Sequence, residues 1–265
     1  MSSYPRMDQT SSMAAICFED VEVRYKSAVA VSGVSLGIHE AEFVVVLGPS
    51  GSGKTTVLRC INGFVRPTNG TIMVDGLNLV EADEASLREC RKQTGAIYQQ
   101  FNLIQRLNVL QNVLCGRLGY VDSVNSVFGV FPDRDVQIAQ TCLRRVGMED
   151  KGHQRADTLS GGEQQRVAIA RALAQQPRII LADEPVTNLD HTLAHHIMEL
   201  LLKIWKEERV TMLLAIHNLE LVREYCLGMR LLGLNSGKIV YDGKVDGISE
   251  EVLVRIYGGL DRVEL

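Results

Sequence analysis

The chain has 265 residues, 46% of them hydrophobic and 23% charged, with a formal net charge of −4 at pH 7. That length buries a full core, as one domain or as a domain with an inserted subdomain. The mild acidity excludes a global basic field for nonspecific nucleic-acid binding, and no apolar run approaches the roughly 20 residues that span a bilayer.

The opening MSSYPRMDQTSSM has neither a basic n-region nor a long apolar h-region, so it does not read as a secretory signal. A disordered tail over 1–13 and a single cytosolic domain over 14–265 are expected. Six cysteines, at 17, 60, 90, 115, 142 and 226, form no C-x-x-C pair and read as reduced, mostly buried thiols.

Along the chain, CFEDVEVRY and VSGVSLGI alternate apolar with polar residues, which predicts an antiparallel β patch near the front. FVVVLG at 43 to 48 is apolar on both faces, as a central strand of a covered parallel sheet would be. GTIMVDG at 70 to 76 reads as an edge hairpin strand, and GAIY as a short strand ending at Gln99. NVLQNVLCGRL, DVQIAQTCLRRVG and EQQRVAIARALAQQ carry apolar residues at i, i+3 and i+4, which predicts an inserted helical subdomain over about 100–175. Its Gly/Ser/Val-rich part, 119 to 132, has no clear period. RIILADEP, TMLLAIH and MRLLGL then alternate with helical patterns at 190–208 and 218–226, the rhythm of βαβ units, before KIVYDG and a short closing helix. The fold class is α/β.

Gly48, Pro49, Ser50, Gly51, Ser52, Gly53, Lys54 and Thr55 fill the pattern G-x-x-x-x-G-K-[ST] between a predicted strand and a predicted helix, with Thr56 next. Glycines let backbone N–H groups converge on phosphate oxygens; Lys54 reaches the β- and γ-phosphates and Thr55 offers a hydroxyl to Mg²⁺. Asp183 and Glu184 end an apolar strand at the sheet edge where open α/β folds bind ligands. Asp183 suits the metal shell, and Glu184 the polarisation of an attacking water. His217 ends another apolar strand and can bond the γ-phosphate or that water. Gln99 can ligate Mg²⁺ or orient water, and Gln100 beside it is chemically equivalent. His191 and His195 stand at i, i+4 without an evident third ligand, so a polar helix face is the expectation.

In TLSGGEQQR, Ser160 and Glu163 form a capping box at a helix head. The box does not explain Gly161 and Gly162, because each glycine in a helix costs up to about 1 kcal/mol relative to alanine. Glycines at a helix N-terminus admit an anion, which makes this a second phosphate-binding head in a chain with one phosphate-loop lysine. Two copies arranged head to tail, each offering 160–163 to the other's phosphate loop, resolve the mismatch.

The ordered series GPSGSGKTT, YQQ, LSGGEQQR, ILADEP, NLD and AIH resembles that of ATP-binding cassette (ABC) ATPases over nearly the whole chain. The resemblance implies a P-loop NTPase core with a mostly parallel sheet, ATP and Mg²⁺ as ligands, and turnover by a homodimer. It also implies that Tyr25 stacks on adenine, Gln99 is the loop glutamine, Asp190 crosses the dimer and His217 is the switch histidine; Asn188 departs mildly from the usual small residue. FNLIQRLNVLQNVLCGRLGY, RVGM at 145 to 148 and YDG…RIYGG are most similar to ATP-binding subunits of phosphonate importers and related phosphite or hypophosphite systems. Such subunits lie at the cytoplasmic face of the membrane on transmembrane permease subunits, are served by an extracytoplasmic solute-binding protein, and bind no nucleic acid. Polar amino-acid import, lipoprotein release and a non-transport ABC ATPase are the alternatives.

Overall fold

The computed structural model describes residues 14–26, 28–121 and 129–259. The tail expected over 1–13 and the 122–128 part of the irregular stretch lie outside the described residues.

An antiparallel sheet in the order β2-β1-β4-β5 is built from β1 (Ile16–Tyr25), β2 (Ala28–Ile38), β4 (Asn69–Val74) and β5 (Leu77–Asn78). Alternation sets its faces: Ile16, Phe18, Val21 and Val23 of β1 are buried. The strand expected at the edge, β4, is interior, because β1 pairs with it as well as with β2 (Ile16 opposite both Val74 and Ile38) while β5 takes the outer place.

The second sheet runs β10-β9-β3-β8-β7-β6, from β3 (Phe43–Leu47), β6 (Thr94–Ile97), β7 (Ile179–Asp183), β8 (Thr211–Ile216), β9 (Arg230–Asn235) and β10 (Lys238–Lys244). Its ladders are parallel except for β10 on β9. Every residue of β3 is buried, since Val45 and Leu47 enter the core beneath the helical arm and Val44 and Val46 the core shared with the antiparallel sheet. Covering both faces is what the unbroken apolar runs encode, and each fully buried Val or Leu contributes about 1.5 to 3 kcal/mol.

Around the sheets stand α1 (Lys54–Ile61), α2 (Glu84–Gln93), α3 (Val109–Leu114), α4 (Asp133–Arg145), α5 (Gly161–Ala174), α6 (His191–Glu208), α7 (Leu219–Tyr225) and α8 (Glu250–Tyr257). The helix α2 carries no apolar stripe, burying only Leu87, so periodicity misses it; its sign is the cap, where the Asp83 carboxylate accepts from the Ser86 amide at 2.8 Å. The arm is less helical than its sequence predicts. Residues 99–108 are irregular, and α3 gives way to 3₁₀ turns over Cys115–Tyr120. The buried Asn112 stabilises that irregular stretch: its side chain accepts from the Ile104 amide at 2.8 Å and donates to the Ile104 and Asn108 carbonyls.

A buried ion pair ties the elements of the arm to one another. Arg117 Nε donates to Asp135 Oδ1 at 2.8 Å, and Nη1 to the Ala174 carbonyl at 2.9 Å. The Tyr120 ring lies 3.8 Å from the guanidinium carbon.

All six cysteines are free thiols; Cys60, Cys142 and Cys226 are buried and the other three partly so. Burial pushes Cys60 and Cys226 up to about 12.

Candidate nucleotide site

The loop from Gly48 to Gly53 joins the end of β3 to the start of α1, and it closes only with glycine at two points. A Cβ on Gly48 would lie 2.3 Å from the Leu234 carbonyl oxygen, and one on Gly53, whose φ is 107°, would lie 2.4 Å from that of Ala30. Gly53 caps α1 without a side chain, which leaves the first amides of the helix to a ligand. Lys54, 4% exposed, donates through Nζ to the Gly48 carbonyl at 2.7 Å and to that of Pro49 at 3.1 Å. The buried Ser52 hydroxyl has no hydrogen-bond partner among the described residues. An orphaned buried hydroxyl in a glycine-lined cradle headed by a helix N-terminus fits a polyphosphate.

Three parallel strands bring the remaining groups to this edge. Leu47 pairs with Ile216 and Asp183 with Ala215, so Thr55, Asp183, Glu184 and His217 emerge together. Thr55 Oγ1 donates to Asp183 Oδ1 at 3.0 Å, and burial raises the Asp183 carboxyl above its usual range. Hydroxyl and carboxylate are hard oxygen donors, suited to a magnesium ion that keeps water and phosphate for its other positions. Among the described residues, no group of three or more His, Cys, Asp or Glu is placed to hold a metal ion.

Glu184 is the centre of the edge. One carboxylate oxygen lies 3.2 Å from Lys54 Nζ; the other lies 3.3 Å from His217 Nδ1 and accepts from Thr187 Oγ1 at 3.3 Å. The hydrogen bond with His217, reinforced by the Lys54 charge, outweighs desolvation and holds the carboxyl down to about 2. Its backbone is strained: φ is 50°, a left-handed conformation that costs a non-glycine residue of order 1 kcal/mol, held here by Glu184 N–H donating to the Ala215 carbonyl at 2.9 Å. His217 is anchored in turn, its carbonyl accepting from the Tyr257 hydroxyl at 3.0 Å.

The other predicted site residues lie around this cluster. Gln99 and Gln100 are both exposed where β6 leaves the sheet beyond the Ile97–Ala182 pairing. Tyr25 is 46% exposed at the end of β1. Asp190 caps α6, its Oδ1 accepting from the Leu193 amide at 3.0 Å. His191 and His195 bond to each other, Nε2 to Nε2 at 3.0 Å, while His195 Nδ1 meets the Tyr225 hydroxyl at 2.8 Å, so the pair forms a polar helix face.

At 160–163 the capping box is complete: Glu163 Oε2 accepts from the Ser160 amide at 2.8 Å, and Ser160 Oγ from that of Glu163. Lys151 pairs with the same carboxylate and is the main cause of its lowered pKa. The two glycines differ. Gly162 is buried, and a Cβ there would lie 2.9 Å from the methyl end of Leu193 of α6, so packing favours a small residue; Gly161 is exposed, with only van der Waals neighbours in Leu189 and Phe101. Packing is thus a second reason for glycine at 162, beside the anion binding expected from the sequence. Among the described residues, no hydrogen bond or ion pair joins 160–163 to its own chain's phosphate loop.

Sequence reasoning missed the Lys54–Glu184 pair and the Thr187 contact, which depend on strand register and on a left-handed turn. The TLSGG run also hid Leu193, whose partner lies two elements away.

Against known proteins, the family model described as ABC transporter matches residues 31–187. The phosphonates import ATP-binding protein PhnC 3 of Halalkalibacterium halodurans is 43% identical over 242 residues, 91% of this chain and 93% of that protein. PhnC 3 of a Nostoc species is 45% identical over 249 residues, 94% of each. Among solved structures, the ATP-binding cassette MJ0796 in a dimeric post-hydrolysis state bound to ADP and Pi superimposes with a TM-score of 0.76 at 34% identity, covering 88% of this chain and all of that one.

Proposed function

Because the chain belongs to the ABC transporter family, we propose that it is the ATP-binding subunit of an importer for phosphonates or a related phosphorus oxyanion. ATP hydrolysis by a head-to-tail pair of copies drives the uptake. The observation that carries the hydrolytic reading is the junction of Lys54, Glu184 and His217 beside Thr55 and Asp183 on one sheet edge.

The loop amides and Lys54 bind the β- and γ-phosphates of ATP, and Tyr25 stacks on the adenine. Water attacks the γ-phosphorus, the bond to the bridging oxygen breaks, ADP leaves with that electron pair, and Glu184 takes the water's proton. His217 orients the water and Glu184. Thr55, Asp183 and Gln99 would hold magnesium, which when bound withdraws charge from the β- and γ-oxygens. The His217 hydrogen bond, with the Lys54 charge behind it, keeps Glu184 a weak base, and withdrawal of Lys54 to the phosphates strengthens that base only in part.

Support for a pair of copies comes from the exposed Gly161 amide end, its lack of bonding to its own loop, and the likeness to a dimeric cassette. Ser160, Gly161, Gly162 and Glu163 then present the head of α5 to the partner's γ-phosphate, and Asp190 crosses between copies. No helix among the described residues is long and apolar enough to cross a membrane, which fits docking on transmembrane permease subunits at the cytoplasmic face. The arm passes closure of the pair to those subunits, and an extracytoplasmic solute-binding protein delivers the cargo.

A mixing experiment tests the pair. Lys54→Ala and Ser160→Arg chains are each inactive alone, and mixed they recover activity through one intact composite site; full activity of either variant alone would refute sharing. For the cargo, cells carrying this chain with its permease and binding protein should take up a labelled phosphonate, with phosphite and not polar amino acids competing. The reverse competition would reassign the cargo.

A further inference from the structure

The irregular segment that follows Gln99 is held by a residue to which no role has yet been given. Phe101 and Asn102 are consecutive non-glycine residues in the left-handed region, with φ of 58° and 50°. Each such residue costs of order 1 kcal/mol, so two in a row persist only where something over-determines them. Arg171, in the third turn of α5, supplies the constraint: Nη2 donates to the Phe101 carbonyl at 2.8 Å and Nη1 to the Asn102 carbonyl. The guanidinium is partly buried, which lowers its pKa, and it forms no ion pair with a carboxylate among the described residues. A partly desolvated cation committed to two carbonyls, with no carboxylate partner, fixes the geometry of the loop that presents them.

The tip of the Phe101 ring also lies near the other end of the same helix, 3.9 Å from where a Cβ on Gly161 would stand. The ten residues from Gly161 to Arg171 span about 15 Å of rigid helix. The loop behind Gln99 is therefore bonded to α5 at its third turn and runs beside its head.

We infer that Arg171 is a positioning residue: it holds the loop carrying Gln99 to α5, so that a shift of the Gly161 end is delivered to Gln99 in the same chain's nucleotide site. This rests on the ATPase reading above. Lysine at 171 keeps the charge but loses the two-pronged grip. Glycine at 102, a residue that occupies positive φ without strain, makes the turn self-sustaining and lessens its need for Arg171.

The test uses the full chain as wild type, Arg171→Lys, Asn102→Gly and the double variant, with thermal melting as the fold control. Hydrogen exchange at 101–103 should rise about tenfold in Arg171→Lys, and kcat should fall about tenfold with KM for ATP within about twofold; Asn102→Gly is silent alone and recovers at least about threefold of each loss in the double variant. Unchanged exchange in a folded Arg171→Lys, or a double variant no better than the single, overturns the inference. If Arg171→Lys does not fold, the wild type decides: amides 101–103 should open together with 168–174, and exchange of 101–103 independently of 168–174 refutes the coupling. A wild type that hydrolyses no ATP overturns the ATPase reading and leaves the exchange results to judge Arg171.

Discussion

Among the described residues two buried cations, Arg117 and Lys54, meet carboxylates, and they are treated in opposite ways. In the arm, Arg117 is fully engaged, by Asp135, by the Ala174 carbonyl and by the Tyr120 ring, with both charged side chains under 10% exposed. At the sheet edge, Lys54 touches Glu184 at 3.2 Å across a seam that also holds an unsatisfied Ser52 hydroxyl and a strained Glu184 backbone. The arm pair is built to stay. The edge pair is poised to exchange partners, because Lys54 is the cation that a polyphosphate in the glycine loop would recruit away from Glu184.

Breaking this contrast should give effects of different kind as well as size. Glu184→Gln should leave ATP binding intact and lower turnover by about 10³ to 10⁴, the range of a lost general base, measured by steady-state kinetics beside nucleotide binding. Parental turnover would remove Glu184 from the mechanism. Asp135→Ala should leave a buried cation without its partner and cost about 3 to 5 kcal/mol in denaturant unfolding. An unfolding free energy close to wild type would mean that water reaches Arg117.

Acid sharpens the contrast further. The Glu184 carboxyl is held from 4.5 down to about 2, so its contribution is complete above pH 4.5 and disappears as pH falls through about 2. Nucleotide-free wild type should therefore lose of order 1 to 3 kcal/mol over that window relative to Glu184→Gln, read from parallel melting curves. Parallel curves with no divergence would show that the pair does not form in solution. Smaller still, Gly162→Ala presses on the mobile end of Leu193 and should cost about 1 to 2 kcal/mol. By comparison the exposed Arg155–Asp157 pair, removed by Arg155→Ala, should move stability by less than about 0.5 kcal/mol.

Much of this was legible in the sequence where the physics is local. The Gly48–Thr55 loop, the Ser160–Glu163 box and the apolar strands ending in Asp183 and His217 each carry their cause within a few residues. The helix at Glu84–Gln93 was not legible, because a polar surface helix has no stripe to betray it. Nor was the interior position of β4, which depends on β1 offering both edges. The packing of Gly162 against Leu193 was not legible either, because the two lie 31 positions apart in different helices. Glu184's left-handed turn and Arg171's grip on Phe101 and Asn102 are likewise products of tertiary register, and no spacing rule records them.

The ammonium of Lys54 is shared among three acceptors, the Gly48 and Pro49 carbonyls at 2.7 and 3.1 Å and a Glu184 oxygen at 3.2 Å. One flexible side chain thereby ties the glycine loop to the turn that follows β7, and an anion that draws it away loosens both.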